Sequence, residues 1–148
     1  MKKITIYSDG SSLGNPGFGG WGTVLEFNGH IKELSGSASQ VTNNQMELQA
    51  AMEGFRALKE PCDVMLVSDS KYVIDGLTKW INNWIKNNWK TAAKKPVKNK
   101  EIWQEFHKLS SIHKIDTLWV KGHAGHPQNE RCDFLARDAA EKLKAKSR

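Results

Sequence analysis

From Ile4 to Tyr7 apolar and polar residues alternate, the period of a half-buried strand, which Asp9-Gly10 is expected to break. The stretch from Gly10 to Gly20 holds five glycines and Pro16 and reads as a loop whose backbone can approach a ligand. A second strand is predicted from about Trp21 to Phe27, turning at Asn28-Gly29 into a third from about Ile31 to Ser35. Asn-Gly is the dipeptide preferred by a type I′ hairpin. Thr42 and Gln45 have capping-box spacing, and Leu48, Ala51, Met52, Phe55 and Leu58 follow at helical intervals, placing Glu47 in the first turn beside the buried stripe. Val64-Met65-Leu66-Val67 is the unbroken apolar run of a strand covered on both faces, ending at Ser68-Asp69.

A helical stretch is expected from about Lys71 through Trp89. Pro96 interrupts before a helix carrying Ile102, Phe106 and Leu109, and Leu118-Trp119-Val120 reads as a short last strand. The final helix bears the stripe Cys132, Leu135, Ala136, Ala139, Ala140 and Leu143, with Asp133 one residue off it near the helix start. The elements predict an α/β fold with an antiparallel meander followed by parallel strands, and helices on both faces.

With 148 residues and 39% hydrophobic content, the chain is expected to form one domain, 1–148. A net charge of +6 favours a polyanionic partner without identifying it. No stretch approaches the ~20 apolar residues of a membrane span. The N-terminus has no signal-peptide core, so a cytoplasmic protein is expected. Cys62 and Cys132 are too few for a disulfide framework and read as small core residues.

Four acids carry the candidate chemistry: Asp9 and Asp69 at strand ends, Glu47 and Asp133 beside helix stripes. Taken singly, each reads more readily as a cap, turn or surface charge. If the first and fourth strands are neighbours, however, all four share a small volume, where repulsion raises some of their pKa values and hard divalent cations are the natural remedy. Two Mg²⁺ ions about 3.5 to 4 Å apart can activate water on one side of a phosphodiester and neutralise the leaving oxygen on the other. A rival set of zinc ligands, His123, His126 and Cys132, lacks an obvious fourth member, and Cys132 falls on the buried stripe.

The motifs Ser8-Asp-Gly-Ser, Gly14-Asn-Pro-Gly, Thr42-Asn-Asn, Met46-Glu-Leu, Ser68-Asp-Ser, Pro96-Val-Lys-Asn and Val120-Lys-Gly-His-Ala-Gly-His-Pro span nearly the whole chain. In this order they resemble the bacterial type 1 ribonuclease H family. The resemblance implies a ribonuclease H-like fold with a mixed five-stranded sheet, and an endoribonuclease that hydrolyses the RNA strand of RNA/DNA hybrids, leaving 5′-phosphate and 3′-hydroxyl ends. It implies Asp9, Glu47, Asp69 and Asp133 as ligands of Mg²⁺, two ions with substrate and Mn²⁺ a possible substitute. It also implies His123 as the loop histidine of proton transfer or product departure, a role that suits an imidazole, whose unperturbed pKa lies near neutrality, in a loop with glycines on both sides.

By the same resemblance Asn15, Asn43 and Asn44 contact the hybrid, Thr42 and Asn99 hold a DNA-strand phosphate, Trp80 lies along the DNA-strand groove, and Lys71 is a further substrate contact. From the residues alone, Asn15-Pro16 is a ready turn, and Thr42 and Asn99 are plausible helix caps. The segment Lys79 to Lys100 holds seven lysines, no acid, and Trp80, Trp84 and Trp89. It is either a handle for the duplex or a helix interface with a solvated basic face. Lys71 stands where bacterial relatives often have Gln, and Gln45 where they often have Arg. A catalytically silent hybrid- or duplex-binding module, a DNA-directed phosphoryl-transfer enzyme of similar fold and a zinc-stabilised interaction protein are the alternatives, and nothing demands more than a monomer.

Overall fold

The computed structural model describes residues 1–122 and 125–147. Five strands, β1 (Lys2–Ser12), β2 (Gly17–Phe27), β3 (His30–Val41), β4 (Cys62–Ser68) and β5 (Lys114–Trp119), form one sheet in the order β3-β2-β1-β4-β5. The meander β1-β2-β3 is antiparallel, whereas β4 pairs parallel with β1 and with β5. The expected mixed five-stranded α/β architecture is therefore present.

The hairpin at Asn28-Gly29 forms as expected, with φ of 48° and 80°, both positive as a type I′ turn requires. Asp9-Gly10, by contrast, does not break β1. The strand runs on to Ser12, pairing Asp9 with Gly22 and Gly10 with Trp21, so the expected loop shrinks to residues 13–16. Gly10 is there because α1 (Asn43–Arg56) crosses directly above it, where a Cβ would overlap the Met46 backbone. The third strand likewise extends past Ser35 to Val41; its polar, small-residue end pairs with β2 at the sheet edge and carries little apolar signal.

Helix α1 starts with the expected capping box: Thr42 Oγ1 accepts the Gln45 N–H at 3.2 Å, and Gln45 Oε1 accepts the Thr42 N–H at 2.9 Å. Its apolar stripe, Leu48, Ala51, Met52 and Phe55, joins Ile6, Val64 and Leu66 in the core. Glu47 is the fifth residue of α1 and lies beyond the first turn where the sequence placed it.

The helical stretch after β4 is not one helix. It comprises α2 (Lys71–Asp75), a π-helical turn (Gly76–Trp80) and α3 (Ile81–Lys86), stopping short of Trp89, which has a positive φ of 59°. The wide turn falls where Gly76 lies flat against the Trp103 ring, with no room for a side chain. Trp103 itself, on α4 (Lys100–Ser110), is fully buried and forms the centre of an aromatic cluster with Tyr72, Trp84 and Phe106.

On the opposite face α5 (Pro127–Lys146) packs across β1, β2 and β3. Asn129, Cys132, Ala136 and Ala140 are its buried positions, and Gly20 and Gly22 of β2 leave space for its backbone. Because α5 lies over that half of the sheet, β4 is not covered on both faces: Met65 is 37% exposed, contrary to the expectation from its apolar run.

Candidate active site

The parallel pairing of β1 with β4 brings Tyr7 level with Val67 and ends there, so the next residues of the two strands lie close together at one end of that pairing. Asp9 follows on β1 and Asp69 stands just past β4, while α1 delivers Glu47. Ligand oxygens of Asp9, Glu47 and Asp69 all lie within 4.8 Å of one another. Asp9 is 4% exposed and Glu47 7%, so two of the three acids are almost dry. Gly10 donates its backbone N–H to Glu47 Oε1 at 2.6 Å, locking helix to strand beside Asp9.

Asp133 approaches from α5, near enough for its carboxylate to act on that of Asp9. Its Oδ2 also accepts from Arg137 one helical turn on, at 2.8 Å to Nη2 and 2.9 Å to Nε. The fourth acid thus borders the three-carboxylate cluster and carries its own counter-charge.

Burial, then the charges of Asp69 and Asp133, pushes Asp9 up to about 8. Burial, then Asp9 and Asp69, raises Glu47 well above the usual carboxylate range, against the opposing Gly10 N–H. Hard, anionic oxygen donors at this spacing suit a divalent cation, whose charge would offset the repulsion that burial intensifies. The donor set therefore fits a metal ion.

The candidate substrate contacts fall into two groups. Asn15, Thr42, Asn43 and Asn44 line a pocket of about 120 Å³ together with Lys98. The Asn43 N–H donates to Asn15 Oδ1 at 3.3 Å, tying the loop to the helix start. Asn99 precedes α4 in the left-handed region, at φ 59°, and its side chain makes no cap. It accepts from Gln45 Nε2 at 3.2 Å and donates to the Tyr72 hydroxyl at 3.1 Å. Trp80 is 37% exposed above Tyr72 and Trp84, so one tryptophan serves both as packing and as available surface, while Trp84 is half-buried against the core.

Lys71 places its ammonium 4.5 Å from the centroid of the Trp119 ring. His123 lies outside the described residues. Cys132 donates its thiol to the Tyr7 carbonyl at 3.3 Å, and burial raises its pKa, so it serves the core rather than the zinc set considered for it. Sequence reasoning overlooked Lys98, visible only as one lysine in a basic run, and Trp119, whose indole donates to the Asp69 carbonyl at 2.9 Å.

The family model for RNase H matches residues 1–141. A ribonuclease H of Shewanella loihica is 56% identical over 141 residues, covering 95% of this chain and 89% of the relative. LC9-RNase H1, described as a type 1 RNase H with the type 2 active-site motif, superposes with a TM-score of 0.86 at 32% identity, over 95% of this chain and 73% of that one. LC11-RNase H1, solved in complex with an RNA/DNA hybrid, shares the fold with a TM-score of 0.71 at 23% identity, over 95% and 98% of the two chains. A carboxylate cluster just past the end of the β1–β4 pairing, a helix locked over it by Gly10 and a match along most of the chain converge, and the chain belongs to the RNase H family, among its bacterial type 1 members.

Proposed function

We propose that this chain is a single-domain, metal-dependent endoribonuclease that hydrolyses the RNA strand of RNA/DNA hybrids to 5′-phosphate and 3′-hydroxyl ends. The observation that carries the reading is the convergence of Asp9, Glu47 and Asp69 within 4.8 Å just past the end of the β1–β4 pairing. Asp133, whose carboxylate acts on that of Asp9, is the fourth ligand in this reading. Bound among these acids, two Mg²⁺ ions, or Mn²⁺ in their place, would supply water activation and charge neutralisation at the leaving oxygen.

The chain's own residues set the terms. Gly10 holds Glu47 in register with Asp9, and Arg137 limits the negative charge that Asp133 adds. The pocket of Asn15, Thr42, Asn43, Asn44 and Lys98 offers amides and one ammonium to a nucleic-acid backbone, which suits shape-based recognition of a hybrid through its sugar-phosphate edges. Asn99, Trp80 and Lys71 extend that surface, and His123 is assigned proton transfer or product departure. A hybrid bound to the related LC11-RNase H1 supports this substrate class. No helix among the described residues is long and apolar enough to cross a membrane, and the reading includes a cytoplasmic monomer.

The test is cleavage of a labelled RNA/DNA hybrid beside RNA duplex, DNA duplex and single-stranded RNA, with Mg²⁺ or EDTA, by wild type and Asp69→Asn. Cutting of the hybrid's RNA strand alone, lost with EDTA and in the variant, is expected. A hybrid bound but left intact under Mg²⁺ and Mn²⁺ would instead mean a silent binding module, and cleavage of all-DNA substrates a DNA-directed enzyme.

A further inference from the structure

Asp69 stands where β4 stops, and its main chain is held from both sides. Ser68 Oγ accepts the Ser70 N–H at 3.0 Å, fixing the chain just beyond the acid. The β4–β5 pairing closes with Ser68 opposite Trp119, and the Ser68 carbonyl takes the Val120 N–H at 3.0 Å. The Asp69 carbonyl comes after that last ladder bond. At such a strand end a carbonyl ordinarily turns to water or to a side chain. Here the donor is the Trp119 indole N–H, at 2.9 Å.

An indole is a rigid donor with two side-chain torsions, and Trp119 is anchored in β5 by its own strand pairing. Its hydrogen bond therefore constrains the peptide plane of Asp69 and, through it, the direction of the Cα–Cβ bond that carries the carboxylate. The same ring has a second use. Its face lies 4.5 Å from the Lys71 ammonium, which belongs to the first residue of α2, two positions after Asp69. Trp119 is 39% exposed, so this cation sits at the surface rather than buried among the acids.

We propose that Trp119 is a positioning residue for the carboxylate cluster: its indole N–H sets the peptide plane of Asp69 while its ring face seats Lys71 at the same strand end. The two functions are separable by chemistry. Loss of the N–H loosens a metal ligand and weakens divalent-ion binding and turnover. Loss of the ring frees a lysine whose role is to meet the substrate backbone, which raises KM and alters its salt dependence. The assignment of Lys71 to substrate rests on the nuclease reading above; the assignment of Trp119 to Asp69 does not.

The experiment compares wild type with Trp119→Phe, Trp119→Leu and Lys71→Gln, using calorimetric titration with Mn²⁺ on the substrate-free protein and steady-state cleavage of a hybrid. Trp119→Phe keeps a ring and removes the donor, so Mn²⁺ affinity is expected to fall by about 5-fold, the equivalent of one hydrogen bond, with kcat reduced and KM little changed. Lys71→Gln is expected to raise KM about 3-fold at moderate salt while Mn²⁺ binds as tightly or more tightly. Trp119→Leu should combine both effects.

Unchanged Mn²⁺ affinity and kcat in Trp119→Phe, or a fall in melting temperature alone, would overturn the positioning role. In the wild type the Trp119 indole N–H resonance should also shift on Mg²⁺ titration, and a resonance that stays put counts against the proposal without any variant. If the wild type binds Mn²⁺ and Trp119→Phe weakens it while no hybrid is cut, the nuclease reading fails and the positioning role survives.

Discussion

Gly10 and Glu47 are joined by a 2.6 Å hydrogen bond from the Gly10 backbone N–H to Glu47 Oε1, across a gap that admits no side chain at position 10. The same glycine that follows one metal-site candidate on β1 thus orients another on α1. Gly10→Ala must push α1 away from β1, and a loss of about 1–3 kcal/mol in urea-denaturation stability is expected together with a fall in activity. Glu47→Gln separates the two effects. It removes a buried charge without opening a cavity, so activity should fall by about 100-fold or more while the melting temperature in EDTA holds or rises.

Asp9 shows the electrostatic tension most directly. Its folded-state pKa is raised from 3.8 to about 8, so both folded and unfolded chains are protonated below pH 3.8 and stability from this group is intact there. As pH rises towards 8 the unfolded chain ionises freely and the folded chain does not, and that stability is lost. In EDTA, Asp9→Asn should therefore match the wild type near pH 4 and exceed it by about 1–3 kcal/mol at pH 8, measured by chemical denaturation, while cleavage is abolished. Mg²⁺ should raise the melting temperature of the wild type more than that of the variant. A variant less stable than the wild type at pH 8 would make Asp9 a structural acid.

The acids were legible in the sequence because each borders an apolar run whose period places it on a known element: Ile6 before Asp9, Leu66-Val67 before Asp69, the Cys132 stripe beside Asp133. Other features were not legible because they depend on what crosses above them. Gly10 reads as a strand breaker until α1 is laid over it, and the interruption at Gly76 follows from the Trp103 ring, which lies 27 positions away in the chain. Met65 reads as doubly covered because local hydrophobicity says nothing of which strands α5 spans. Trp119 gave no signal of its own, since a tryptophan in a short strand reads as packing and its partner is a main-chain carbonyl fifty positions earlier.

His113 adds a second, opposite pH dependence far from the carboxylates. Its Nδ1 accepts the Cys62 N–H at 3.0 Å at the start of β4, and burial lowers its pKa from 6.5. A depressed histidine stabilises the fold above its unfolded value, and that contribution is lost as pH falls below 6.5 through the folded value. Protonation also destroys the acceptor. Discounting for partial exposure, less than about 1 kcal/mol should be lost between pH 7.5 and pH 5. His113→Ala should be less stable than the wild type at pH 7.5 by about 1 kcal/mol, for the unsatisfied Cys62 N–H, and should show a flatter acid dependence. Parallel denaturation curves for the two proteins across this range would exclude the histidine as the source.

Tyr72 links the substrate surface to the core. Its hydroxyl accepts from Asn99 Nδ2 at 3.1 Å and from the buried Trp103 Nε1 at 3.0 Å, while Asn99 Oδ1 receives Gln45 Nε2, which belongs to the α1 capping box. A chain of polar contacts therefore runs from Thr42 through Gln45 and Asn99 to the ring beneath Trp80. Tyr72→Phe keeps the ring contacts and removes the shared acceptor, leaving the Trp103 N–H without its partner in a dry site. The expected loss is about 1–3 kcal/mol of stability. If the network also orients Asn99 for substrate, KM for a hybrid should rise severalfold with kcat nearly constant, and Asn99→Ala should add little to Tyr72→Phe in a double-mutant cycle. Fully additive effects on KM would show that Asn99 is placed by its own left-handed backbone and owes nothing to Tyr72.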